Sequence, residues 1–351
     1  MSLTVLSVAY PLAPVGPDAV GGAEQVLSHL DRALTRAGHR SIVIADGRSD
    51  VAGTLVPIPP ETGSLDDAAK ARAQAAVREA IARVRAGTAV DLVHLHGIDF
   101  PAYLPDDGPT LVTLHLPLDW YPAGAFAPRP DLMLHGVSAS QTLTAPPEAR
   151  LLAPIPNGVP VDDLAARHAK RDFALVLGRI CPEKGIHLAL DAARAGGHSL
   201  LVGGEVYAYE SHRAYFDEEV RPRLDRRRRF LGPLGFARKR RLLTAARCLV
   251  VPSLCAETSS LVAMEALACG TPVVAFPNGA LPEIVEHGRT GFLVTGVEEM
   301  AEAIDAARSL SPGHCRAEAR RRFSLKTMTA RYVAAYETLL ARDAAGPRVA
   351  S

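Results

Sequence analysis

LVLGRICPEKGIHLALDAA, residues 175–193, contains the unit from which the rest of the chain is built. A short apolar run ends at Gly178–Arg179, a turn holds Pro182 and Gly185, and a helical pattern follows. An uninterrupted apolar run of this length, bounded by turn residues, reads as a strand buried on both faces. Strand, loop and helix in that order are half of a parallel βαβ crossover.

The same unit recurs on either side. LTVLSVAY (3–10), RSIVIAD (40–46), DLVHLH (91–96), TLVTLH (110–115) and LMLHGVS (132–138) are strand-like, and EQVLSHLDRALTRAG (24–38) is an amphipathic helix closed by Gly38. A second series follows: FALVLGR (173–179), HSLLVGG (198–204), CLVVPS (248–253) and TPVVAF (271–276). Between them, IPNGVPVDDLAARHAKRD (155–172) is rich in turn residues and charge, which places a domain boundary there. The expected division is 1–165, 166–325 and a closing helix over 326–351 that need not belong to the domain preceding it. The fold class is α/β, two Rossmann-like doubly wound parallel sheets. A chain of 351 residues suits two such cores better than one.

Composition removes several classes of function. A net charge of +1 gives no general electrostatic case for nucleic acid or an anionic membrane. The run DRRRRF (225–230) lacks interleaved aromatics, and AKARAQAAVREAIARVRAG (69–87) lacks bulky apolar anchors, so each reads as solvated. No run approaches the ~20 apolar residues of a membrane span, and the N-terminal stretch reads as a first strand, not a signal peptide. The five cysteines show no metal or redox spacing, and a cytoplasmic location is expected.

Ligands of doubly wound sheets sit beyond the carboxyl ends of the strands. That rule picks out Gly21–Gly22, His96, His115, Arg179, Gly203–Gly204 and the loop of Glu257. Arg179 and Lys184 suit a pyrophosphate whose charge must be neutralised as it leaves, or are two ordinary surface cations. In ETSSLVAMEALACG (257–270), Glu257 lies in a loop and Glu265 inside an apolar helix. The amides of residues 258 to 261 lie between them, with Ser259 or Ser260 as N-cap. Carboxylate, amide cluster and carboxylate match the hydroxyl, phosphate and hydroxyl order of a nucleotide sugar. The plainer alternative is a loop acid and an ion-paired Glu265. His94 and His96 share a strand face, but nothing completes a tetrahedral metal set.

GGAE (21–24), VHLHG (93–97), TLH (113–115), IPNGV (155–159), LGRICPEKG (177–185), LVGGE (201–205), FLGPL (230–234), ETSSLVAMEALACGTPVVA (257–275) and LPEIVEHGRTGFLV (281–294) occur in this order along the chain. In order and spacing the chain resembles the retaining glycosyltransferases of family 4, which have the GT-B fold with its two domains facing a cleft. The resemblance implies Glu257 facing the donor sugar and His115 beside the transferred group. It implies Arg179, Lys184, Gly22 and the Ser259, Ser260 and Leu261 segment at the diphosphate, Glu265 at the ribose, and Leu231 and Leu234 near the nucleobase. It further implies a hexose transferred with retention, UDP as the favoured carrier, and no metal or other cofactor. His96, Asp119 and Trp120 fall on the acceptor side; the acceptor and the oligomeric state are not legible. Thr258-Ser259-Ser260 stands where the family commonly has Pro-Phe-Gly, so donor identity does not carry over. A sugar-nucleotide epimerase, or a sugar-nucleotide-binding protein without turnover, stands as the alternative.

Overall fold

The computed structural model describes residues 2–344 apart from Val20, Ser64 and Arg167. The chain forms two compact units: residues to Asn157 joined by those from Leu325 onward, and Gly158–Ser324. The first boundary therefore falls ahead of the 165/166 division expected from composition. Its physical marker is a parallel bridge between Val159 and Ser324, with the Val159 amide donating to the Phe323 carbonyl at 2.8 Å. Of the helix expected over 326–351, Leu325–Ala344 is helical, and 345–351 lie outside the described residues.

The first unit holds a sheet of seven parallel strands: β1 (Thr4–Val8), β2 (Arg40–Asp46), β3 (Thr54–Ile58), β4 (Leu92–Leu95), β5 (Thr110–Leu114), β6 (Leu132–Gly136) and β7 (Leu151–Leu152), in the order β3-β2-β1-β4-β5-β6-β7. The second holds six: β8 (Ala174–Leu177), β9 (Leu200–Gly203), β10 (Arg228–Phe230), β11 (Cys248–Val251), β12 (Val273–Ala275) and β13 (Gly291–Leu293), in the order β10-β9-β8-β11-β12-β13. Each order reverses direction once, between β1 and β4 and between β8 and β11. Loops leaving the two strands at a reversal diverge, and that is where such sheets bind ligands.

Alternation explains the burial. In the second unit Leu175, Leu249, Val251, Val273 and Ala275 join one core cluster, while Ala174, Val176, Cys248, Val250 and Val274 join another. Successive side chains thus point to opposite faces, and each face is covered by helices, so both must be apolar. The helix Leu261–Ala268 is apolar almost all round for the same reason: it lies between the sheet and the helix Pro312–Phe323. Among the described residues no helix is long and apolar enough to cross a membrane.

Candidate functional site

In the second unit the two loops flanking the reversal point meet. The loop after β8 runs through Arg179 to the 3-10 turn Pro182–Lys184 and closes on Gly185, which has φ +60°. A Cβ at Gly185 would lie 2.1 Å from the Pro252 carbonyl oxygen, so only glycine permits this approach of the two backbones. Gly185→Ala is expected to lower the melting temperature of this unit by several degrees, about 2–3 kcal/mol of strain and clash. Calorimetry would read it, and an unchanged transition would show that the backbones part freely.

The second loop, after β11, carries Glu257. The Lys184 ammonium sits 2.5 Å from Glu257 Oε1, and the Ser253 hydroxyl donates to the same oxygen. The Ala280 amide donates to the Glu257 carbonyl at 2.7 Å, and the Asn278 side-chain amide to the Ser253 carbonyl at 2.7 Å. Glu257 is therefore held by its backbone independently of its carboxylate. Arg179 lies 3.6 Å from Glu183, with both side chains partly exposed.

Glu265 is the fifth residue of the Leu261–Ala268 helix, about one turn in, and is only 4% exposed. Its Oε1 accepts from the Lys239 ammonium at 2.7 Å, so the ion pair weighed as the plainer reading does form. Its Oε2 is buried with no hydrogen-bond partner among the described residues. Burying half a carboxylate unpaired is unfavourable by kilocalories, unless a ligand hydroxyl completes it. Ser260 holds the N-cap position but its side chain makes no capping bond, a correction to the capping role expected of Ser259 or Ser260. The Ser259 hydroxyl is likewise buried and unpartnered. Leu231 and Leu234 are half-buried after β10, with Leu234 against Gly203.

In the first unit the histidines form a buried network. His94 Nδ1 meets the Tyr336 hydroxyl at 2.9 Å and its Nε2 meets Thr113 Oγ1 at 2.8 Å. Thr113 in turn meets His135 Nε2 at 2.8 Å and the Tyr332 hydroxyl at 3.2 Å. His96 Nδ1 and His115 Nε2 share a hydrogen bond of 3.0 Å, while His96 Nε2 is buried without a partner. Burial, then the neighbouring His135, drives His115 down to about 3, and burial brings His135 to about 4 against the pull of the Gly136 carbonyl. Burial and the neighbouring rings hold His94 and His96 far below an ordinary imidazole. All are neutral at physiological pH.

The remaining expected residues are scattered in character. Gly22 opens the helix Gly22–Arg36, and the Glu24 carboxylate folds back beneath Gly21 so closely that a Cβ there would clash. Burial raises the Glu24 pKa, opposed by its own backbone amide. Asp119 is exposed and Trp120 is 61% exposed, in a 3-10 turn after β5. The neighbouring Tyr121 is buried between Phe100 and Phe126. Asp99, in the loop after β4, accepts from Tyr103 at 2.8 Å and Gln74 at 2.9 Å. Lys239, Ser253, Asn278, Tyr332 and Tyr336 escaped sequence reasoning. Only the RKRR run at 238–241 carried any signal for one of them.

Comparison with known proteins identifies the family and the fold. A family described as glycosyl transferases group 1 matches residues 171–309, and glycosyltransferase family 4 matches residues 20–149. The chain is 26% identical to a phosphatidyl-myo-inositol mannosyltransferase of Mycobacterium leprae (strain TN), over 93% of this chain and 96% of that one. It is 37% identical to a D-inositol 3-phosphate glycosyltransferase of Mycobacterium sp. (strain JLS), over 45% of this chain and 38% of that one. Among solved structures, AviGT4, a glycosyltransferase involved in avilamycin A biosynthesis, superposes with a TM-score of 0.73 at 28% identity, covering 97% of this chain and 98% of its own. Anabaena HepE, solved with UDP and glucose, gives 0.72 at 19% identity over 96% and 100%, a likeness of fold alone.

Proposed function

The chain belongs to the family 4 glycosyltransferases of GT-B type, and on that premise we propose that it transfers a hexose from a nucleoside diphosphate, UDP by preference, to an acceptor hydroxyl with retention at the anomeric carbon. The observation that carries this reading is Glu265: a buried carboxylate with one oxygen on Lys239 and the other unpaired. A ribose hydroxyl donating to Oε2 would complete it. The exposed amides at the start of its helix face the diphosphate, and Glu257 at the end of β11 takes the sugar hydroxyls.

In the reaction the C1–O bond to the diphosphate breaks and a C1–O bond to the acceptor forms on the same face. The acceptor hydroxyl proton passes to the departing phosphate oxygen. Arg179 and Lys184 neutralise the charge that collects there, so the step needs no metal. Glu257 is assigned no covalent role here: with its Oε1 held by Lys184 and Ser253, it orients the sugar and the Lys184 ammonium. Gly22 is assigned to the diphosphate and the neutral His115 to the transferred sugar, with His96, Asp119 and Trp120 on the acceptor side.

Inositol appears in the names of both sequence relatives, so free, phosphorylated and lipid-linked inositols are the first acceptors to try. A panel of UDP-, GDP-, ADP- and dTDP-sugars, assayed for nucleotide release with and without them, tests the function. Glu265→Ala should raise the donor Kd about tenfold or more, the value of a charged hydrogen bond of roughly 1.5–3 kcal/mol, with little change in the rate at saturation. Conversion of a donor to another sugar nucleotide without release would replace transfer with epimerisation.

A further inference from the structure

The loop that carries Arg179 and Lys184 also gathers three groups of a different chemistry. Cys181 follows β8 and is fully buried, Glu183 lies in the turn Pro182–Lys184, and His212 comes from the helix Glu210–Tyr215. The ligand atoms of these three lie within 4.8 Å of one another, the one such group of three or more found among the described residues.

Two features set the cluster apart from packing. His212 is 8% exposed, yet its Nδ1 is buried without a hydrogen-bond partner among the described residues. An orphaned ring nitrogen of this kind is unfavourable by about 1–3 kcal/mol. The thiol of Cys181, meanwhile, has only a long 3.7 Å contact to the Arg179 carbonyl and the Glu183 carboxylate to donate to. Thiol, carboxylate and imidazole thus converge, with one ring nitrogen unpaired.

We infer that Cys181, Glu183 and His212 form a binding site for a divalent cation of the zinc class. One thiolate, one imidazole and one carboxylate fill three corners of the tetrahedron that zinc prefers, at about 2.0–2.3 Å, and water takes the fourth. In a tetrahedral site the ligand atoms stand roughly 3.5 Å apart, and here they already lie within 4.8 Å of one another. Sulfur and nitrogen ligands rule against magnesium or calcium, which take oxygen. Binding releases the Cys181 proton to solvent, and the two negative ligands balance the cation. Without the metal, burial and the Glu183 contact push the thiol up to about 12; the cation supplies the charge that stabilises the thiolate. A cation here also takes Glu183 from Arg179, 3.6 Å away, and leaves the guanidinium to an anion. That last consequence rests on the donor reading above; the metal site does not.

Cobalt(II) titration of metal-free protein tests it. One equivalent should produce a thiolate-to-cobalt charge-transfer band in the near ultraviolet and visible bands of tetrahedral type, both bleached by zinc. Cys181→Ser should abolish the charge-transfer band, and His212→Ala should weaken binding about tenfold or more. Cys255→Ser, removing the next thiol along the same loops, should leave the spectrum intact, and circular dichroism confirms that each variant is folded. Absence of a thiolate band in folded wild type, or its survival in Cys181→Ser, overturns the inference. Cobalt bands in a protein that binds no sugar nucleotide would overturn the donor reading and leave the metal site standing.

Discussion

Lowering the pH from about 7 to about 5 is expected to unfold the unit built on β1 to β7 before the unit built on β8 to β13. The first unit buries His94, His96, His115 and His135 side by side as neutral rings. His135 titrates at about 4 and His115 at about 3 in the folded chain, against ~6.5 when unfolded. Between those values the unfolded chain binds a proton that the folded chain refuses. The stabilisation is therefore complete above ~6.5 and is lost as pH falls towards the folded values. Each such group removes up to about 1.4 kcal/mol per pH unit. His115 and His135 alone take about 4 kcal/mol by pH 5, much of a typical domain stability of about 5–15 kcal/mol. Hydrogen exchange resolved by peptide would show β4, β5, β6 and the helix Leu325–Ala344 losing protection first. His135→Gln, if it folds, should move that transition to lower pH. Simultaneous loss in both units would remove the histidine cluster as its cause.

Glu257→Ala should lower turnover by about 10²–10³, the usual effect of deleting a preorganised charge contact at a reacting centre, while donor affinity changes little. The carboxylate removed is the acceptor for both Lys184 and Ser253. Without it the ammonium has no fixed position when the diphosphate begins to leave. The loop itself should stay, because the Glu257 carbonyl accepts from Ala280 and the Ser253 carbonyl from Asn278. Glu257→Gln, which keeps the shape but not the charge, should recover only part of the rate. Initial rates at saturating donor separate this outcome from that of Glu265→Ala, which acts on binding. Wild-type turnover in Glu257→Ala would sink the assignment of both loops.

The strands next to each reversal point were legible because burial on both faces makes them continuous apolar runs. β3 was not: Thr54–Ile58 is a half-exposed edge strand whose short apolar run is interrupted by Pro57. Glu257 and Glu265 were placed correctly on loop and helix, since Pro252, the serines and Gly270 bound the helix from outside. Their cationic partners were hidden, because nothing local in Lys239 says that it reaches Glu265 across 26 residues. Distance hid the histidine network too, with Tyr336 meeting His94 across 242 residues. Cys181, Glu183 and His212 failed every spacing rule for metal ligands, as the third comes from a separate helix.

The return of the chain to its first unit bears on how the protein is made. Synthesis runs from the amino end, so all of Gly158–Ser324 has been polymerised before Leu325–Ala344 exists. The unit begun first is the one finished last, and its sheet waits for Tyr332 and Tyr336 to reach Thr113 and His94. A chain terminated near residue 324 would thus carry the second unit attached to a first unit lacking the Tyr332 and Tyr336 hydroxyls that meet Thr113 and His94. Quality control by nascent-chain proteases would meet that open sheet first, and any fusion or tag intended to preserve function has to leave the final helix free to dock.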